Sequence, residues 1–78
     1  MKSFFVVEDH TVTNIGLQQL IAQKTELTCL GSAVSKSEAL DKIKVLSELP
    51  DIMILDLYLG EESGLDLLRV IRSDYPSV

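Results

Sequence analysis

Cysteine occurs once in the 78 residues, at Cys29, so no intramolecular disulfide can form. It lies in an apolar run and reads as a small core filler, which suits a reducing cytoplasm. Basic residues are scarce: 7 Lys and Arg stand against 12 Asp and Glu, a net charge of −5. That balance argues against this segment gripping nucleic acid by itself. No run approaches the ~18 apolar residues of a membrane span, and the first residues lack the h-region and cleavage site of a secretory signal. Histidine also occurs once, at His10. Without a second histidine it reads as a polar residue of a strand-to-helix loop rather than a zinc ligand. GxGxxG and Walker loops are missing, so no nucleotide site is expected. There is no linker, repeat or low-complexity tract, and a chain of this length makes one small domain at most.

What is present is an alternation of apolar runs and helical stripes. Lys2 to Val7 is short, aromatic and β-branched, as a buried strand requires. Thr11 or Thr13 is placed to cap a helix carrying Val12, Ile15, Leu17, Leu20 and Ile21, and ending near Lys24-Thr25. Leu27 to Val34 reads as a second strand, weakened at its far end by Gly31. Ser35 and Glu38 have capping-box spacing before a helix carrying Ala39, Leu40, Ile43 and Leu46. Pro50 ends that helix, because proline disfavours helical geometry in the residue before it. Asp51 to Leu57 is a near-continuous apolar run, as in a parallel strand covered on both faces. Gly60 to Gly64 reads as a loop, and Ser63 as the cap of a third helix with Leu67, Leu68 and Ile71 on one face, ending at Tyr75-Pro76.

The order β-α-β-α-β-α predicts an α/β fold with a parallel sheet between helices. Right-handed crossovers favour strand order 2-1-3, with a topological switch point at the carboxyl ends of strands one and three. Glu8 and Asp9 follow the first strand, and Asp56 follows the third. Carboxylates gathered there repel one another unless a cation or a proton joins them. Oxygen ligands beside a sheet edge suit Mg²⁺. Asp9 and Asp56 are the expected direct ligands, Glu8 acts through water, and the Tyr58 carbonyl is a further candidate because the chain turns over the site there. A carboxylate is also a nucleophile able to form an aspartyl phosphate, and Asp56 stands alone at its strand end. Hydrolases that use such an intermediate often carry a second aspartate two positions on; Tyr58 occupies that place here, which weakens a phosphatase-like reading. Glu61 and Glu62 read as a solvated loop tip that could also tune the cation site.

Four motifs, in this order and spacing, resemble the receiver domain of bacterial two-component response regulators. They are Val7-Glu8-Asp9-His10, Ser37-Glu38-Ala39-Leu40, Pro50 through Leu57, and Ser63-Gly64-Leu65. The resemblance spans essentially the whole chain. It implies a flavodoxin-like receiver fold truncated before its fourth sheet strand, with residues 1–78 as a partial receiver domain. It implies that Asp56 accepts a phosphoryl group from a sensor histidine kinase, and that Glu8 and Asp9 form the acidic pair holding Mg²⁺. Such a chain is a cytoplasmic signalling module of a phosphorelay, not an enzyme. Glu-Asp-His and the compact first helix resemble regulators whose output half is a helix-turn-helix DNA-binding domain. This segment itself is expected to touch neither DNA nor membrane.

Two departures from the family pattern stand out. Proline is usual where Gly60 stands, and glycine is expected to loosen the loop after the acceptor. The family also has a hydroxyl residue ending its fourth sheet strand and a lysine ending its fifth, and no residue here matches either. An uncovered outer edge on the third strand is a pairing template, which predicts self-association through that edge. The alternative function is a non-switching, receiver-like module for binding or dimerisation.

Overall fold

The computed structural model describes residues 2–60 and 62–78, Glu62 by its backbone alone. The expectation placed on the side chains of Glu61 and Glu62 lies outside them. Phe4, Phe5, Val6 and Val7 are fully buried, because β1 (Ser3–Val7) is the central strand. It pairs in parallel with β2 (Thr28–Ala33) on one side and β3 (Ile52–Leu55) on the other, giving the expected order β2-β1-β3. Val7 lies level with both Ala33 and Leu55, so all three strands finish in one row. The β1–β2 register slips once: Phe4 pairs with Cys29 and Phe5 with Gly31, leaving Leu30 as a bulge.

Side chains alternate across the sheet. Phe5 and Val7 share a core with Ala33, Leu59, and two helices: α2 (Lys36–Lys44) through Ala39 and Ile43, and α3 (Gly64–Asp74) through Leu67 and Ile71. Phe4 and Val6 point to the other face, where right-handed crossovers put α1 (Thr11–Lys24) against β1 and β2. At the amino edge, the Ser3 N–H donates to Asp51 Oδ2 at 2.8 Å and the Asp51 N–H donates back to the Ser3 carbonyl at 3.1 Å. Asp51 thus ties the start of β3 to β1 from outside the strand.

Several local expectations change. The α1 stripe faces inward differently: Val12 is 85% exposed, Ile15 49% and Leu20 54%, while the buried residue is Asn14. Asn14, Leu17, Gln18 and Ile21 recur at helical spacing and form the inward face. The N-cap position of α1 is His10, whose side chain makes no cap, rather than Thr11 or Thr13. Ser35 does cap α2, accepting from the Glu38 N–H at 3.1 Å, and the Glu38 carboxylate pairs with Lys42 one turn on at 3.2 Å. Ser63 caps α3 by accepting from the Leu65 N–H at 3.2 Å. Cys29 is half-buried rather than core, its Sγ 3.8 Å from Gln18 Oε1. β3 is also less covered than its apolar run suggests: Ile52 is exposed, and Met53, Ile54 and Leu55 are half-buried. Among the described residues, β3 pairs only with β1.

The stretch read as a loop over Gly60 to Gly64, together with the two residues before it, forms a small antiparallel ribbon, β4 (Tyr58–Leu59) with β5 (Glu62–Ser63). Gly60 lies in it at φ 63°, a left-handed conformation. Proline, held near φ −65°, cannot adopt it. Glycine therefore permits a specific turn here instead of merely loosening the chain.

Candidate functional site

The backbone alone brings the acidic residues together. The Glu8 N–H donates to the Ala33 carbonyl at 3.0 Å, and the Asp56 N–H donates to the Val7 carbonyl at 3.0 Å. The residues just past β1 and β3 are thereby pinned beside the last residues of β2 and β1 at the carboxyl edge. Glu8, Asp9, His10 and Asp56 each place one ligand atom within 4.8 Å of the others. The three carboxylates expected from sequence are all in this cluster. His10, read from sequence as an ordinary loop residue, joins them. Its position directly after the acidic pair was the available signal.

The groups differ in environment. The Glu8 side chain is almost fully buried, Asp9 is one-quarter exposed, and His10 is 73% exposed. His10 Nδ1 lies 2.6 Å from Glu8 Oε1 and 3.1 Å from Asp9 Oδ1. A single Nδ1 proton serves the shorter contact, so Asp9 Oδ1 is an ion-pair neighbour of the ring but has no hydrogen-bond partner, although it is buried. The imidazole is held above its ordinary value of 6.5, first by the hydrogen bond to Glu8 and then by the Asp9 and Glu8 charges. The Asp56 carboxyl is held below 3.8, first by the neighbouring Glu8 carboxyl, which takes up the proton that the pair shares, and then by the Tyr58 N–H, 3.0 Å from Oδ1.

Two glycines shape the segment above these groups. A Cβ on Gly60 would stand 3.8 Å from Asp9 Oδ2, so the ribbon tip leans over that carboxylate. Gly64 is tighter still. A methyl there would overlap the Asp56 carbonyl and lie 2.6 Å from Leu57 Cα, and its N–H donates to the Leu57 carbonyl at 2.8 Å. Only glycine lets α3 begin so close to Asp56.

A buried carboxylate oxygen lacking a donor, within a set of oxygen ligands, is the chemistry expected of a hard cation site. The residues present therefore fit Mg²⁺. The parallel sheet carries its acidic cluster at the switch point between β1 and β3, and the chain belongs to the response regulator receiver domain family, which it matches over residues 4–78. It is similar to the transcriptional regulatory protein YdfI of Bacillus subtilis (strain 168), with 34% identity over 96% of this chain and 34% of that protein. It is also similar to the DNA-binding transcriptional activator DevR/DosR of Mycobacterium tuberculosis, with 33% identity over the whole chain and 35% of that protein. The chain thus spans about a third of the length of these relatives. Among solved structures it resembles one of the histidine kinase ThkA in complex with the response regulator protein TrrA. That match has a TM-score of 0.79 and 26% identity, over the whole chain and 64% of the matched one.

Proposed function

We propose that residues 1–78 are a partial receiver domain that accepts a phosphoryl group on Asp56 from a histidine kinase, with Mg²⁺ in the acidic pocket. The observation that carries this is the alignment of Asp56 with the Glu8-Asp9 pair at one sheet edge, with Asp9 Oδ1 left without a donor. Asp9 and Asp56 would hold the ion directly, Glu8 through water, with the Tyr58 carbonyl as a further ligand. When bound, the ion supplies neutralising charge to the phosphoryl oxygens. Asp56, a carboxylate accepting from the Tyr58 N–H at 3.0 Å, supplies the attacking oxygen. An oxygen–phosphorus bond forms to Asp56 as the phosphorus–nitrogen bond of the donor phosphohistidine breaks. The imidazole nitrogen keeps the electron pair and takes a proton from solvent.

The kinase partner is supported by the likeness to the ThkA–TrrA complex. Exposed Val12 and Ile15, in the first turns of α1 after the pocket residue His10, offer an apolar seat for such a partner. The likeness to YdfI, a transcriptional regulatory protein, and to DevR/DosR, a DNA-binding transcriptional activator, supports a module of a longer regulator whose DNA-binding output it controls, acting in the cytoplasm on this reading. The segment's own charge of −5 keeps it from DNA. No helix among the described residues is long and apolar enough to cross a membrane.

Incubation with acetyl phosphate and Mg²⁺, followed by intact mass, tests the reading. A phosphate-sized gain that disappears in Asp56→Asn is expected; no gain in the wild-type chain overturns it. A second reading, a non-switching module that self-associates, is favoured by the outer edge of β3. Beside it lies an apolar cavity of about 130 Å³ lined by Met53, Leu55, Leu68, Ile71, Arg72 and Val78. Sedimentation showing a dimer with no phosphorylation supports that reading, and a stable monomer removes it.

A further inference from the structure

We propose that Asn14 is a positioning residue for the acidic pocket, a role that rests on the metal-site reading above. Asn14 is the buried residue of α1, 3% exposed, in a helix whose apolar side chains are half-buried or exposed. Its Nδ2 donates to the Glu8 carbonyl and to the Ala33 carbonyl, each at 3.0 Å. Its Oδ1 accepts from Gln18 Nε2 at 2.6 Å. Both amide protons and the amide oxygen are used, so the side chain sits in one orientation.

The two carbonyls are not ordinary ladder groups. Glu8 lies just beyond β1, where its carbonyl has left the strand pairing. Ala33 is the last residue of β2, and its carbonyl also accepts the Glu8 N–H. One Asn14 amide therefore joins the ends of β1 and β2 and fixes the peptide between Glu8 and Asp9. That peptide sets the direction in which the Asp9 side chain leaves the backbone. Three carboxylates that repel one another need such external restraint to stay converged before a cation arrives. Outer groups that orient ligands typically change metal affinity by about 10–100-fold when removed.

The test compares Asn14→Leu, similar in size but without donors, with Ser3→Ala. Ser3 is buried at the opposite edge of the sheet, where its hydroxyl donates to Asp51 Oδ2 and accepts from the Asp51 N–H, each at 3.3 Å, so its removal reports loss of stability alone. Mg²⁺ affinity of the folded protein is read by titration, and the rate of phosphorylation by acetyl phosphate is read against Mg²⁺ concentration. Asn14→Leu should weaken Mg²⁺ binding about ten-fold. Its phosphorylation should slow at low Mg²⁺ and recover at saturation, while Ser3→Ala keeps wild-type affinity. Unchanged affinity in Asn14→Leu, or equal weakening in Ser3→Ala, overturns the proposal. Should Asn14→Leu fail to fold, Asn14→Ser is judged by the same outcomes. A wild-type chain that binds no Mg²⁺ defeats the metal-site reading instead. Positioning is then judged by hydrogen exchange: selective loss of protection at the Glu8 amide relative to Val6 sustains it, and equal protection overturns it.

Discussion

His10 and Asp56 respond to the pocket in opposite senses, and both responses are measurable. The folded-state value of His10 is raised, so its contribution to stability is complete below the ordinary value of 6.5 and is lost as pH rises through the folded value. An NMR titration should place its midpoint above 6.5, and Glu8→Gln should lower it because the hydrogen bond to Glu8 is the first cause. Mg²⁺ should lower it too, by offsetting the Asp9 and Glu8 charges that favour imidazolium. A midpoint at or below 6.5 without metal refutes this account. Asp56 is depressed, so its contribution is present above 3.8 and disappears as pH falls through the lower folded value. The carboxylate needed for attack is thus the neutral-pH form. The acidic residues were legible in the sequence because each directly follows an apolar run. Asn14 was not, because a lone asparagine among helical residues carries no sign of which carbonyls it will meet.

At the scale of elements, α3 and the segment before it depend on Gly64. Gly64→Ala should cost about 1–3 kcal/mol of stability by denaturant unfolding, as overpacking against fixed backbone does. It should also slow phosphorylation, because the atoms displaced belong to Asp56 and Leu57. A variant with wild-type stability and rate would show that the backbone yields freely. Ser35→Ala should cost about 1 kcal/mol through loss of the α2 cap while leaving Mg²⁺ affinity unchanged. The caps of α2 and α3 could be read from sequence because their hydrogen bonds are local. The stripe of α1 could not. Two apolar phases compete along that helix, and burial of the Asn14 side, with its paired amide, decided between them. The β4–β5 ribbon was missed for a similar reason, since two-residue strands leave no periodicity to detect.

For the whole molecule, stability and ligand binding are linked. A core of this size supplies only about 3–5 kcal/mol of net stability. Phe5→Ala, which removes a fully buried ring from the shared core, should cost about 3–5 kcal/mol and leave the chain largely unfolded. Circular dichroism would show this, and a cooperative native melt would contradict it. Mg²⁺ at about 100 times its dissociation constant should stabilise the fold by about 2.7 kcal/mol if it binds only the folded state. Asp9→Ala should lose most of that increment.

Fold class, strand order and the three carboxylates followed from sequence, because apolar runs, helical spacing and right-handed crossovers act over short distances or leave few topologies. The tertiary structure decided which face of α1 is buried, that His10 joins the pocket, that Gly60 and Gly64 bring the ribbon and α3 close to the carboxylates, and that Asn14 ties two strand ends together. Each of these depends on contacts between segments whose distance and direction exist only once the sheet is assembled.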